Sequence, residues 1–476
     1  MMPVLSLRLL LRLFLPIGFL ISWRPAFSQV IDADRCDSIA HLVITPSAAF
    51  MQTELPVSLD SVLRSASRFH QPHDKAVFVA NYDPYYYWFR IILNNPRAKS
   101  RDLMLLMAPL GLYDGRLFQR VDGKWTQVGQ TGLRYRFPDR SYQFTHHVFP
   151  FTLPARRVDT LYFSIDASNA YKLFGFALFR PTEFRLFEGK IYFVFGIIVG
   201  LLLLFFALNI SLFFALKERL HLWYALYIAL LFFVVMKNDQ LDQQFLGLDS
   251  ERAFRLTPYA AAGALAIAVL LHVVQQFLKK VLIGNRLLYR GSTLLKINIV
   301  CSAVAHALVF LTSTDSRIEN IVFEWVKISV LVCICLLIAD CLYCVWKGQK
   351  SALFLFFGSF VFMVGSIQRL FVGSLSFLFP PTTFHIGIIL EIFIISMALI
   401  YRYWLEREEQ REKEEQVKIK TMNEISTEIH DNVGQTLALA NIILQRIDHC
   451  QIPIFSEKIG KAESFIGIAI VDLRDL

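Results

Sequence analysis

Near the C-terminal end of the chain a histidine is followed at once by an aspartate, with a glutamine five positions beyond the histidine: His430-Asp431-Asn432-Val433-Gly434-Gln435. An imidazole can act as a nucleophile, an adjacent carboxylate can fix its tautomer, and a primary amide can hold a water. At helical spacing His430 and Gln435 are a little over one turn apart, which is expected to bring the three groups near one patch of surface. A His-Asp pair by itself is common and usually means nothing. The surrounding elements must justify the reading.

The immediate surroundings are helical. Ile419, Met422, Ser426, Ile429, Val433, Thr436, Ala440, Ile443 and Ile447 follow one another in alternating steps of three and four. This is a heptad seam softened by small and polar residues, and Leu437 and Leu444 widen it toward a bundle. His430 stands beside seam position Ile429, so its ring is expected to reach solvent. Ile459, Ala462, Ile466, Ala469 and Leu473 repeat the pattern after a break at Pro453. Two such helices cannot bury both seams alone, which predicts a homodimer with a four-helix bundle over residues 423–476. Residues 404–422, charge-rich from Glu406 to Glu415, read as a helical linker leading into it.

The composition places this hairpin on a membrane protein. Hydrophobic residues make up 55% of the 476, there are 43 Phe, and only 18% of the chain is charged. The net charge of +9 suits basic residues that mark cytoplasmic loops, and no clustered basic face suggests a nucleic-acid partner. Arg8 and Arg12 precede an apolar run from Leu13 to Trp23, and Ala26-Phe27-Ser28 has the small-x-small pattern of a signal-peptidase site. Residues 1–28 therefore read as a signal peptide, with an uncleaved anchor as the alternative.

Residues 29–187 then form an extracytoplasmic domain with β signals. Tyr85 to Leu93 is an aromatic and branched run closed by Asn94-Asn95-Pro96. Arg116–Val121 and Lys124–Val128 flank Asp122-Gly123, a hairpin signal, and further runs span His147–Leu153 and Thr160–Ile165. The pattern predicts a β-sandwich of jelly-roll type. Cys36 is its only cysteine, so no internal disulfide can staple it. The rings of Tyr82, Tyr85, Tyr86, Tyr87, Trp88 and Phe89 raise a sugar-binding platform as one reading and sandwich core as the plainer one. His146-His147 reads as a surface pair rather than as metal ligands, because adjacent strand residues point to opposite faces.

From Ile191 the chain becomes apolar. Spans near 191–216, 220–236, 254–278, 292–313, 320–346, 351–373 and 383–403 predict a seven-helix transmembrane bundle over 188–403. Alternate loops carry Lys217 and Arg219, then Lys279, Lys280, Arg286 and Arg290, then Lys347 and Lys350. This places those loops and the C-terminus in the cytoplasm, in agreement with the export signal. Within the spans, Glu324 and Lys327 read as an intrahelical pair, and His272, Asp340 and Glu391 as groups facing the bundle interior. The cysteines of the spans read as small buried hydrophobes without metal-binding spacing.

The run Ile425-Ser426-Thr427-Glu428-Ile429-His430-Asp431-Asn432-Val433-Gly434-Gln435-Thr436-Leu437 resembles the phosphoacceptor motif of nitrate-sensor-like bacterial histidine kinases, with Glu424 and Thr427 standing where arginines are usual. The upstream layout resembles seven-transmembrane receptors with diverse intracellular signalling modules (7TMR-DISM), whose extracellular domain is jelly-roll-like, with Tyr87-Trp88-Phe89-Arg90 as the best local anchor. These resemblances imply a sensor histidine kinase in a bacterial inner membrane, with its N-terminal domain periplasmic. In it His430 takes the γ-phosphoryl group of ATP, Asp431 holds the ring, and Gln435 positions a water that dephosphorylates a response regulator. They imply an unknown extracellular small-molecule ligand, carbohydrate among the candidates, and lipid around the bundle. The chain stops at Leu476 inside the second bundle helix, and its cytoplasmic part has no Gly-rich phosphate loop. The expectation is that the ATP-binding domain is missing here and that the chain alone is inactive as a kinase. The alternative is a non-catalytic receptor or phosphorelay subunit acting by dimerisation, with a transporter a distant third.

Overall fold

The computed structural model describes residues 30–65, 68–70, 78–79, 85–108, 112–166, 173–249, 251–312, 316–367, 381–445 and 452–474. The predicted signal peptide, Tyr82 and the seam residue Ile447 lie outside them. The chain divides into two compact units, residues 1–396 and 397–476.

The first unit begins with a β-sandwich. In chain order its elements are β1 (Val30–Asp32), α1 (Arg35–Ser38), β2 (Leu42–Val43), β3 (Ala49–Thr53), α2 (Leu59–Arg64), β4 (Phe78–Val79), β5 (Tyr86–Asn95), β6 (Arg101–Ala108), β7 (Asp114–Val121), β8 (Lys124–Thr131), β9 (His147–Leu153), β10 (Arg157–Asp166) and β11 (Leu173–Phe179). One sheet runs β1-β5-β10-β7-β8, and β3 shares the free edge of β5 with β1. The other runs β2-β11-β6-β9, with β4 also on β11.

Strand alternation builds the core between the sheets. Tyr87, Phe89, Ile91 and Leu93 of β5 and Leu161, Phe163 and Ile165 of β10 point inward from the first sheet. Leu103, Leu105 and Met107 of β6, Phe149, Phe151 and Leu153 of β9, and Phe174, Phe176 and Leu178 of β11 answer them. The rings meet edge to face, Phe89 on Phe176 with centroids at 4.8 Å and Phe149 on Phe163 at 4.9 Å. Trp88 and Tyr162 point the other way, into a second cluster closed by Met51 and by Val62 of α2. The aromatic run is therefore core on both faces, and Tyr87, Trp88 and Phe89 form no open platform for a sugar. The hairpin at Asp122-Gly123 forms as expected, with both residues at positive φ (51° and 83°), the conformation a two-residue primed turn requires.

The bundle follows without a linker: β11 ends at Phe179 and α3 (Pro181–Leu216) begins two residues later, with Pro181 in its first turn. Next come α4 (Arg219–Asn238), α5 (Leu241–Phe245), α6 (Glu251–Leu256), α7 (Tyr259–Phe277), α8 (Lys279–Leu282), α9 (Arg286–Thr312), α10 (Ser316–Trp346), α11 (Ala352–Ile367) and α12 (Thr383–Glu428). Six of these helical segments are long and apolar enough to cross a membrane. The sixth predicted segment is described only in part. Helix α11 has 16 described residues, about 24 Å against roughly 30 Å of hydrocarbon, and the rest of that segment lies outside the described residues.

Phe89, 1% exposed and packed on both Phe174 and Phe176, is the hub of the sandwich core. Phe89→Ala is expected to cost the sandwich about 3–5 kcal/mol, while Val158→Ala, on a side chain 54% exposed, stays within about 0.5 kcal/mol. Chemical unfolding followed by intrinsic fluorescence checks both.

Candidate functional site

Around His430 the helix changes pitch. Helix α12 ends at Glu428, residues Ile429–Val433 form one π turn, and α13 (Gly434–Gln445) continues from it. The Gly434 N–H donates to the Ile429 carbonyl, the i to i+5 bond that defines such a turn. Two threonines bracket it: Thr427 Oγ1 donates to the Asn423 carbonyl at 2.9 Å and Thr436 Oγ1 to the Asn432 carbonyl at 2.7 Å. Such back-bonding loosens the helical ladder and favours a local distortion.

The change of pitch alters what the motif can do. In an unbroken α-helix five residues turn through about 500°, which leaves His430 and Gln435 roughly 140° apart. A π turn holds about 4.4 residues, and its wider winding narrows the offset to roughly 90°. The extra residue thus supplies part of the proximity that spacing alone does not. Asp431 and Gln435 are both exposed, as a site for a partner protein requires. The backbone of His430 lies in the same turn, and its ring is outside the described atoms. Asp431 also lines an open groove of about 740 Å³, along which Ile419, Asn423 and Thr427 face outward.

Helix α14 (Ile452–Arg474) completes a hairpin with α13. Val433, Ala440, Ala462 and Ala469 are each under 5% exposed, so the seam closes on small residues where the heptads placed it. Ile419 and Met422 upstream, and Leu437 and Leu444 beside the seam, remain 41–70% exposed.

A second cluster, unforeseen in the sequence, joins the sandwich to the adjoining rim of the bundle. Tyr142 donates to Glu188 of α3 at 2.8 Å, the Phe137 N–H donates to Asp249 at 2.9 Å, and Arg140 donates to Gln243 of α5. Phe144 inserts among Phe184, Phe187 and Tyr192 of α3. Within the rim, Lys237 pairs with Asp242 at 2.7 Å, and Asp239 with His385 at the start of α12, also at 2.7 Å. The Thr382 N–H points at His385 Nδ1, which leaves Nε2 to donate to Asp239. The reading of His146-His147 as a surface pair is corrected. His147 is 2% exposed with Nδ1 at 2.7 Å from Thr131 Oγ1, and His146 is half-buried against Phe144. The start of α3 covers part of this end of the sandwich, with Phe184 and Phe187 on Phe144 and Phe179.

On α10 Glu324 and Lys327 form the expected i,i+3 pair at 2.5 Å. Asp340 accepts from Ser292 at 2.5 Å, and Glu391 accepts from Tyr227. Among the described residues no three His, Cys, Asp or Glu side chains are grouped to hold a metal.

With this geometry in view the comparisons are informative. Residues 191–402 match the family described as 7TM diverse intracellular signalling, and residues 50–174 match the one described as 7TMR-DISM extracellular 2. These two matches support the resemblance of residues 50–174 and 191–402 to the receptor part of 7TMR-DISM proteins. A multi-pass membrane signalling receptor follows from the two matches and the six apolar helices. No curated protein matches the chain. Neither match to the 7TMR-DISM domains extends to residues 423–476, so the chemistry at His430 rests on its own residues.

The alanine seam makes the hairpin sensitive to volume. Ala440→Leu is expected to destabilise the α13–α14 pair by about 1–3 kcal/mol, and exposed Ala438→Leu to leave it nearly unchanged. Amide exchange over Gly434–Gln445 in the full chain measures the difference.

Proposed function

We propose that the protein is a sensor of the two-component type, in which an extracytoplasmic signal received by the sandwich controls phosphorylation of His430. The observation that supports this most is the His430-Asp431-x-x-x-Gln435 turn, in which Asp431 and Gln435 are exposed. It opens a helical hairpin directly after α12, the last helix of the receptor region. In the proposed reaction a ring nitrogen of His430 forms a bond to the γ-phosphorus of ATP as the bond to ADP breaks. Asp431 accepts a hydrogen bond from the other ring nitrogen and stabilises the charge that develops. Gln435 orients a water for hydrolysis of the aspartyl phosphate of a response regulator. ATP is a substrate here, and residues 404–474 offer no Gly-rich loop to hold it, so a separate ATP-binding domain delivers it.

Dimerisation is part of the reading. Ile419, Met422, Leu437 and Leu444 are apolar, exposed within one chain and set along the seam, as a partner copy in a four-helix bundle would use them. The same residues favour the second reading, a non-catalytic receptor or relay subunit that signals by dimerisation. In both readings the basic loops face the cytoplasm, the chain sits in a bacterial inner membrane, and the sandwich takes an unidentified small molecule. If that ligand is a carbohydrate, it is bound elsewhere than on Tyr87, Trp88 and Phe89, which are core.

Supplying a cognate ATP-binding domain in trans with labelled ATP distinguishes the readings. Label is expected on the wild type and absent from His430→Gln. Gln435→Ala is expected to accept label normally while slowing regulator dephosphorylation tenfold or more. Equal labelling of wild type and His430→Gln removes the phosphoacceptor and leaves the non-catalytic reading.

A further inference from the structure

The junction between sandwich and bundle contains a titratable group, His146, half-buried where the two parts meet. His146 lies in the segment between β8 and β9 that reaches the rim. Its ring stacks on Phe144 with centroids at 5.5 Å, and Thr145 Oγ1 lies 2.9 Å from its Nδ1. Phe144 is fixed in turn by the α3 rings, with Phe184 at 5.4 Å and Tyr192 at 5.6 Å. The imidazole is therefore held where sandwich, α3 and rim converge, and it is close enough to Asp239 to feel that charge.

We propose that this seam is a proton-binding site, and that protonation of His146 from the extracytoplasmic side releases the sandwich from the rim. The word extracytoplasmic rests on the orientation in the proposed function; the release does not. Burial pushes the His146 pKa down from 6.5 to about 4, with Asp239 opposing the shift. Undocked, the ring would titrate near its ordinary value in water. A histidine held neutral in the docked state weakens docking as pH falls below the undocked pKa, and the loss is complete once pH passes the docked one. The window is thus pH 6.5 down to about 4, with docking weakening about tenfold per unit and about 300-fold in all.

The other charges of the seam set the direction. From the sandwich, Arg140 is buried and its pKa is pushed down to about 10 by that burial, with Asp249 and Asp242 opposing, so those two carboxylates already serve a cation of the seam. From α3, Glu188 is engaged by Tyr142. In the rim, Asp239 is already taken by His385 of α12, and Asp242 by Lys237 at 2.7 Å. Asp242 works against release, because its burial raises its pKa and favours proton uptake while docked, with Lys237 resisting. The carboxylates that could neutralise a charged His146 thus have partners, and the charged ring finds its solvation only by leaving.

Hydrogen exchange on the full chain in lipid nanodiscs, corrected for intrinsic rates, tests this at pH 7, 5.5 and 4.5. The amide of Phe137, bonded to Asp249 across the seam, is the probe, and the Phe89 amide in the sandwich core is the control. In the wild type, seam protection is expected to fall about tenfold per unit below pH 6.5 with the core unchanged. In His146→Gln it is expected to stay flat. A flat wild type, or a His146→Gln that falls in parallel, overturns the proposal. Should that variant not fold, the ring itself is titrated by NMR in histidine-labelled wild type: a midpoint between about 4 and 6.5 supports the site, whereas one at 4 (protonation without release) or at 6.5 overturns it. None of these readouts involves His430, so failure of the phosphoacceptor reading would leave them intact.

Discussion

A helix in hydrocarbon can satisfy a polar side chain only against its own backbone or another helix, and this constraint decides which helices of the bundle lie together. Tyr227 of α4 donates to Glu391 of α12, and Tyr224, one turn earlier, donates to the carbonyl of Ile392 at 3.0 Å. Asn209 of α3 meets His221 of α4 at 3.2 Å. Helices α9 and α10 are joined by Ser292 to Asp340 and by Asn298 to Ser329 at 2.9 Å, and α7 meets α9 through Gln275 and Thr293 at 3.1 Å. Leucine and phenylalanine fill the space between these bonds but cannot set the register, because lipid is as apolar as they are.

The same rule governs the end of the bundle under the sandwich. Polar groups there are screened from water by protein, and each important one is paired across an element boundary. The pairs therefore report on mutual position. Strand β11 passes into α3 through Arg180 and Pro181, and Arg180 ties back to Glu183 at 2.8 Å, so no slack separates sandwich from membrane. On its far side the rim meets the first turn of α12 through Asp239 and His385. Sandwich, α3 and α12 are consequently linked by short, directional contacts rather than by a flexible tether.

How much of this the sequence disclosed varies with the periodicity each element leaves. Strand β5 and the β7–β8 hairpin were legible because one carries aromatic and branched residues and the other a Gly-containing turn. Strands β6 and β11 were not. Leu103 to Met107 and Phe174 to Phe179 are buried on both faces, which erases the alternation that marks a half-buried strand. The seam at Val433, Ala440, Ala462 and Ala469 was legible from heptads. The π turn was not, because the residue pattern of three and four runs through it unbroken while the backbone does not. His146 was misread for want of the one fact that sequence spacing cannot supply, namely which face another domain covers.

Cys36 gives the sandwich a property of a different kind. It is buried in the main core, and burial pushes its thiol up to about 11, with Arg101 opposing, so it stays protonated and a poor nucleophile. The sequence places the next cysteine at 301, in a membrane helix. The domain thus reaches its fold by packing alone and has no cystine to form, shuffle or lose. It can mature without an oxidase or an isomerase, and its stability is the same in oxidising and reducing surroundings.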